Sequence, residues 1–267
     1  PVSRAVEGFS IVLDEDEDRV AIGVRLKDNR YSDVFDGLVN DLVIALMDLT
    51  TDAAVAETMS SRLRRWQRLF EAEPSGLSVE GQIGLFGELL FLEEYLIPAL
   101  GAEAIDTWVG PQGGAQDFAI SGASIEIKTC CDDRRCTVRI SSEQQLDDGG
   151  VPGLYLQHIV LQEAKHGRSL PDLVGDLRQV LVGSPVQLDT LTDLLIQAGY
   201  ADTQADQYAA RKYDPLRQDS YRVVDGFPRI TKGSLPLGVL NVSYDLSLSF
   251  CERFRIAPED LANVLGS

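Results

Sequence analysis

The stretch DFAISGASIEIKTCC, Asp117 to Cys131, sets the tightest constraint on how this chain can fold. Two short apolar runs flank a Ser-Gly-Ala-Ser turn, the pattern of a strand pair folded back on itself. Alternate residues of a strand share a face, so Glu126 and Lys128 point to one side and Ile125 and Ile127 to the other. The turn, Ser121 to Ser124, returns the strand of Asp117 beside them, where Asp117 and Glu126 can approach each other. Two carboxylates and a lysine on one patch of sheet are costly to desolvate unless something offsets their charge. A divalent cation would do so. Carboxylate and carbonyl oxygens suit hard Mg²⁺, with Mn²⁺ as a substitute.

The helix upstream adds an independent group. Ser78 can cap a helix running to about Leu96. At 100° per residue, Glu88 projects among Gly81, Gly84, Phe91, Leu92 and Tyr95, a packing face for which an idle Glu is ill suited. Glu93 and Glu94 project away as ordinary surface charge. Glycines at 81 and 84 would let another backbone come close. A Glu directed from that face at a sheet bearing two more carboxylates would complete a metal site.

Around this centre the chain reads as mixed α and β. Strands FSIVL and VAIGVRL flank an acidic turn, Asp14 to Asp18, which mutual repulsion keeps exposed. Helical periodicity follows over Val34 to Leu49 and Asp52 to Phe70. In the second helix Leu63, Trp66 and Phe70 form the apolar stripe, and Arg62, Arg65 and Arg68 lie off it. EAEPSGLS, Glu71 to Ser78, is a break. Strands are expected near Trp108 and over Asp117–Ile120, Ile125–Thr129 and Thr137–Ile140, then a short helix at Ser142–Leu146 and a strand at Leu154–Leu161. That order predicts a mixed sheet covered by helices. Two helices after Pro171, strands near Tyr221 and over Val239–Leu246, and a helix at Pro258–Leu265 complete the chain. The expected regions are 1–73, 74–170 and 171–267.

No apolar run approaches a membrane span, and no signal segment opens the sequence. Cys130, Cys131, Cys136 and Cys251 read as thiols of a reducing cytosol, which makes the expected location cytoplasmic. With only His158 and His166 and no CxxC pair, zinc is a poor fit. The net charge of −18 works against a protein that grips nucleic acid through clustered cations. Two segments are nevertheless locally basic. Near Lys128 stand Arg134, Arg135 and Arg139, and between Thr203 and Lys232 stand Arg211, Lys212, Arg229 and Lys232 with tyrosines interleaved. These seven residues are the candidate nucleic-acid contacts; a tyrosine-rich packed surface with ordinary salt bridges is an equal alternative.

Asp, eight residues, then Glu-x-Lys, with a Glu on the preceding helix, resembles the PD-(D/E)XK nuclease superfamily, with Gln116-Asp117 standing where Pro-Asp is usual. GLFGELLFLEEYL, WVGPQGGAQDF (Trp108 to Phe118), IEIKT, ISSEQQLDD and DGFPRI are similar to one bacterial family of PD-(D/E)XK proteins found beside restriction, methyltransferase and phage-defence genes. The resemblance implies a restriction-endonuclease-like core of order αβββαβ, with additions at both ends. It implies Asp117 and Glu126 as metal ligands, Lys128 as the catalytic lysine and Glu88 as the helix carboxylate. The Ile127 carbonyl is the expected further ligand. A second Glu-x-Lys, Glu163-Ala164-Lys165, runs out into HGRSLP and reads as a solvated strand end.

The expected function is metal-dependent DNA phosphodiester hydrolysis, an endonuclease of a restriction or phage-defence system, with other subunits of that system as candidate partners and homo-oligomerisation left open. Three alternatives stand. Glu126 and Lys128 form only an ion pair on an exposed face; the chain is an inactive subunit that binds DNA or assembles; or it is an acidic DNA mimic. No Gly-rich phosphate loop and no nucleophile elbow is present.

Overall fold

A computed structural model of the chain describes residues 2–5, 9–16, 19–29, 32–47, 49–56, 58–59, 62–63, 76–131, 137–149 and 151–266. Two compact units emerge, Pro1–Ser78 with Leu195–Asp206, and Val79–Leu194 with Gln207–Ser267.

In the first unit β1 (Val2–Ala5), β2 (Phe9–Asp16) and β3 (Arg19–Leu26) form an antiparallel meander. Helix α1 (Ser32–Leu46) places Leu38 and Leu42 in a core with Met59, Leu63, Ile196 and Ala201. Arg62 binds Asp41 at 2.7 Å. Arg65, Trp66, Arg68 and Phe70, residues 71–75 of the break, and residues 17–18 of the acidic turn lie outside the described residues.

The second unit opens with α2 (Val79–Phe91), one π-helical turn (Leu92–Leu96) and α3 (Ile97–Leu100). The widened turn falls where Pro98 has no N–H to offer the carbonyl one turn back and its ring would press on it. Along the chain then come β4 (Phe118–Ile120), β5 (Ala123–Cys130), β6 (Thr137–Ile140), β7 (Leu154–Ser169), α4 (Leu170–Val180), α5 (Pro185–Gln197), α6 (Ala205–Tyr208), β8 (Lys212–Val223), β9 (Tyr244–Ser247), β10 (Arg255–Ile256) and α7 (Pro258–Leu265), the end of α5 and the start of α6 belonging to the first unit.

Five strands make one mixed sheet in the order β10-β8-β7-β5-β4. Strand β7 is central, with β5 parallel on one side and β8 antiparallel on the other. Its opening LYLQHIVL is buried throughout, the mark of a strand covered on both faces. Helix α2 packs on the sheet through Phe91 against Phe118 and Phe86 against Tyr213. Leu154, Leu156, Tyr221 and Val223 pack with Val138, Ile140 and Leu246 of the small β6–β9 layer and with Leu248 just after it.

The mixed sheet flanked by helices is the expected fold class. Two details differ from the expected order. Strand β6 leaves the sheet to pair with β9, and residues 143–146 form turns rather than a helix. The expected strand at Val239–Leu246 is reduced to β9, because Pro236, Gly238 at φ 88° and Asn241 at φ 56° shape a loop before it. Residues after 171 supply β8 and β10 to the same sheet. No helix among the described residues is long and apolar enough to cross a membrane.

Candidate active site

The charged stretch forms the edge of the sheet. Strands β4 and β5 pair antiparallel through Phe118↔Ile125, Ala119↔Ser124 and Ile120↔Ala123. The turn between them is thus only Ser121-Gly122, and Gly122 at φ 81° takes the position that a side chain would strain. Beyond Phe118 the pairing stops, because the chain turns away to hydrogen-bond Val109 and Gly110 through the Asp117 carbonyl. That leaves the Ile127 N–H facing a strand that has departed. The Asp117 carboxylate takes its place, accepting this N–H at Oδ2, 2.7 Å. N–H and C=O of one strand residue point the same way, so the Ile127 carbonyl faces this side too. Gly110 makes the turn feasible: a Cβ there would stand 3.0 Å from Asp117 Oδ1 and 3.2 Å from its Cα.

Glu126 is 1% exposed and pairs through Oε1 with Lys128 Nζ at 2.7 Å. The expected alternative of an exposed pair therefore fails on burial: the ion pair exists, but inside the protein. Glu126 Oε2 is buried with no hydrogen-bond partner among the described residues. Burial raises the Glu126 carboxyl well above the ordinary range, the Asp117 and Glu88 charges add to this, and Lys128 opposes it. The Asp117 carboxyl is also raised by burial, offset by the Ile127 N–H and Lys128. Carboxyls raised in this way cluster at functional sites, and the charge of a bound cation would oppose the shift.

Glu88 faces the same place from α2. Its Oε2 accepts the Trp108 indole N–H at 2.7 Å, and its pKa is pushed up to about 8 by burial and by Asp117. Gly84 provides no close approach, since a Cβ there would meet nothing within 4 Å. The close approach belongs to Gly87, where a Cβ would lie 1.8 Å from Thr129 Oγ1. Its absence lets α2 lie against β5 next to Glu88. Gly87→Ala is therefore expected to destabilise the protein by about 2 kcal/mol, measured by urea unfolding, with partial recovery when Thr129→Ala is added.

Sequence reasoning missed Gln145. Its Oε1 accepts from Lys128 Nζ at 3.1 Å and from the Ser141 N–H at 2.7 Å, so Lys128 is held between Glu126 and Gln145. Gln116, next to Asp117, donates to the Gln144 carbonyl at 2.9 Å. Arg229 grips the same loop, donating to the Leu146 carbonyl at 2.8 Å and to Asp148 at 2.9 Å. Trp108, Gln116, Gln145 and Arg229 all stand in the segments singled out by resemblance; nothing in their spacing told which partners they would find. Gln145→Ala is expected to lower stability by about 1 kcal/mol, measured by urea unfolding, since Lys128 stays but loses one of two anchors.

Arg134 and Arg135 lie outside the described residues. Arg139 is bound to Asp245 and Ser243, and Arg229, 11% exposed, is a structural tie. Lys232 is exposed on a turn whose backbone N–H binds Asp147. Arg211, just before β8, lies 2.6 Å from Glu163, and Lys212, its first residue, 3.8 Å from Asp172. Cys130, Cys131 and Cys251 are thiols, and Cys136 lies outside the described residues.

Among the described residues no three His, Cys, Asp or Glu side chains form a ready metal cluster. Mg²⁺ needs none, since it is commonly held by one or two carboxylates with retained water. The partnerless Glu126 Oε2 beside Asp117 and the Ile127 carbonyl suits such an ion.

A helix-covered mixed sheet whose edge strands carry Asp, Glu and Lys in this arrangement is of the PD-(D/E)XK, restriction-endonuclease-like class. Residues 3–249 match the family described as "Putative PD-(D/E)XK family member, (DUF4420)", and the chain belongs to that family. No curated protein matches the chain. No solved structure does either.

Proposed function

We propose that the chain is a divalent-metal-dependent phosphodiesterase, an endonuclease acting on DNA in a bacterial restriction or phage-defence system of the cytoplasm. The buried, partnerless Glu126 oxygen beside Asp117 carries this reading. Asp117 and Glu126 with the Ile127 carbonyl would hold Mg²⁺ or Mn²⁺, and Glu88 would adjust the charge of the set. The ion, when bound, polarises a phosphoryl oxygen and acidifies a water. Lys128, steadied by Gln145, orients the attacking water and donates to the negative charge that develops on the phosphoryl group. Asp117 holds the edge of β5 through the Ile127 N–H, and Trp108 fixes the Glu88 carboxyl.

The test is incubation of the purified chain with plasmid and single-stranded DNA in Mg²⁺ or Mn²⁺, beside Asp117→Ala and Lys128→Ala. Cutting that both substitutions abolish supports the reading, and cutting that persists in either removes this site. A second reading, an inactive subunit that binds DNA or assembles, is favoured by the buried Lys128–Glu126 pair and the net charge of −18. A folded protein that binds DNA and never cuts it, with or without subunits from the same system, selects that reading.

A further inference from the structure

The second Glu-x-Lys is not a fraying strand end. Strand β7 continues to Ser169, and its register jumps so that Glu163 and Arg168 both stand opposite Tyr213. Residues 164–167 therefore bulge out of the ladder. Gly167 holds the bulge closed against β8: a Cβ there would lie 2.6 Å from the Tyr213 carbonyl oxygen. Bulges re-aim side chains, and this one carries Lys165 to the rim of a cavity of about 740 Å³.

Glu163, Ala164, Lys165, Ala210, Arg211 and Lys212 line that cavity. On a chain of net charge −18, three cations to one carboxylate is an unusual lining. Glu163 is matched by Arg211 at 2.6 Å, and Lys212 keeps only a long contact to Asp172 at 3.8 Å. Lys165 is exposed with no carboxylate at ion-pair distance among the described residues. Two ammonium groups are thus loosely matched or unmatched beside an anchored guanidinium, a setting that attracts an oxyanion.

The cavity lies at the end of the sheet towards which β5 runs from Lys128. Cys131, at the end of that run, stands within the influence of both Glu163 and Arg211. Lys128 is in register with His158, so Glu163 at the cavity stands five strand residues further on, about 17 Å, the axial rise of about five phosphates on one strand of a duplex.

We propose that Lys165, Arg211 and Lys212 form a phosphate-binding site that anchors the nucleic-acid strand a few nucleotides from the scissile bond. The proposal rests on the nuclease reading for its substrate, while the cavity itself does not. The phosphate could be strand-borne or free, and the arms of the test distinguish them.

The test uses the full chain in EDTA and a fluorescent duplex of about 20 base pairs, long enough to span both sites, with salt titration. Lys165→Glu/Lys212→Glu is expected to weaken duplex binding about tenfold and to lower the salt slope by about 2. Lys165→Gln/Lys212→Gln should give a smaller drop in the same direction, which guards against mere repulsion or misfolding. Lys27→Glu/Arg253→Glu, the same change of charge at other exposed positions, should leave affinity within about twofold. Duplex affinity unchanged in both cavity variants overturns the proposal and leaves the nuclease reading intact. Inorganic phosphate bound by wild type and lost in the variants, with duplex affinity unchanged, overturns it as a strand anchor. A wild type with no affinity for duplex overturns it as well. The expected losses together with a wild type that cuts no DNA uphold the cavity and remove the nuclease.

Discussion

Asp117→Asn is expected to reduce cleavage by about 10³-fold while making the metal-free protein more stable. The two effects have one cause. Asn keeps an oxygen for the Ile127 N–H, so the edge of β5 retains its partner. What disappears is a negative charge that raises the Glu126 and Glu88 carboxyls. Removing one of several mutually repelling carboxylates stabilises the empty site by about 1 kcal/mol, or about 2–3 °C in Tm. The same charge is what a divalent ion would require, so the rise in Tm on adding Mg²⁺, expected for the wild type, should vanish in the variant. Thermal melts in EDTA and in Mg²⁺, beside the plasmid assay, give all three readouts. A variant that is less stable than wild type without metal would show that Asp117 is structural, and one that still gains Tm from Mg²⁺ would remove it as a ligand.

The second large effect is a pH dependence. The Glu88 pKa of about 8 lies above its ordinary 4.5, so between these values the folded protein holds a proton that the unfolded chain has released. Stability from this group is full below about pH 4.5, falls as pH rises towards 8 and is flat beyond. The full shift would correspond to about 5 kcal/mol. Glu88 keeps some solvent contact, which reduces the expected effect to about 2 kcal/mol. Asp117 and Glu126, also raised, slope the same way. Glu88→Gln stays neutral at every pH and still accepts the Trp108 N–H. It should match wild type near pH 5 and exceed it by about 2 kcal/mol at pH 8 in EDTA, measured by urea unfolding. Equal pH profiles would show that Glu88 is not held neutral by its surroundings.

Such a site was legible in outline because its parts are local. Asp117, Glu126 and Lys128 lie within one hairpin, and strand alternation is a property of the chain itself. Glu88 was legible through helical periodicity. The misassigned glycine shows the limit: periodicity locates a face, but it cannot say that Thr129 is what Gly87 meets. Gln145 and Trp108 were illegible as partners because neither lies within one turn or one strand of the group it holds.

The bulge at residues 164–167 makes the same point from the other side. A strand running into HGRS looks like an end, and only the shared partner Tyr213 shows that the ladder resumes.

By itself, the amino-acid order determined the strand pair, the face on which its charges stand, the helix that precedes it and the mixed α and β class. Each follows from interactions between residues close along the chain. Tertiary structure alone decided that β4 would leave β5 at Asp117, that the Glu126–Lys128 pair would be buried and that β6 would quit the sheet. It also decided that loops from three segments would hold Glu88 and Lys128 in place. Those outcomes depend on which surfaces compete for burial, and that competition is settled only when distant segments meet.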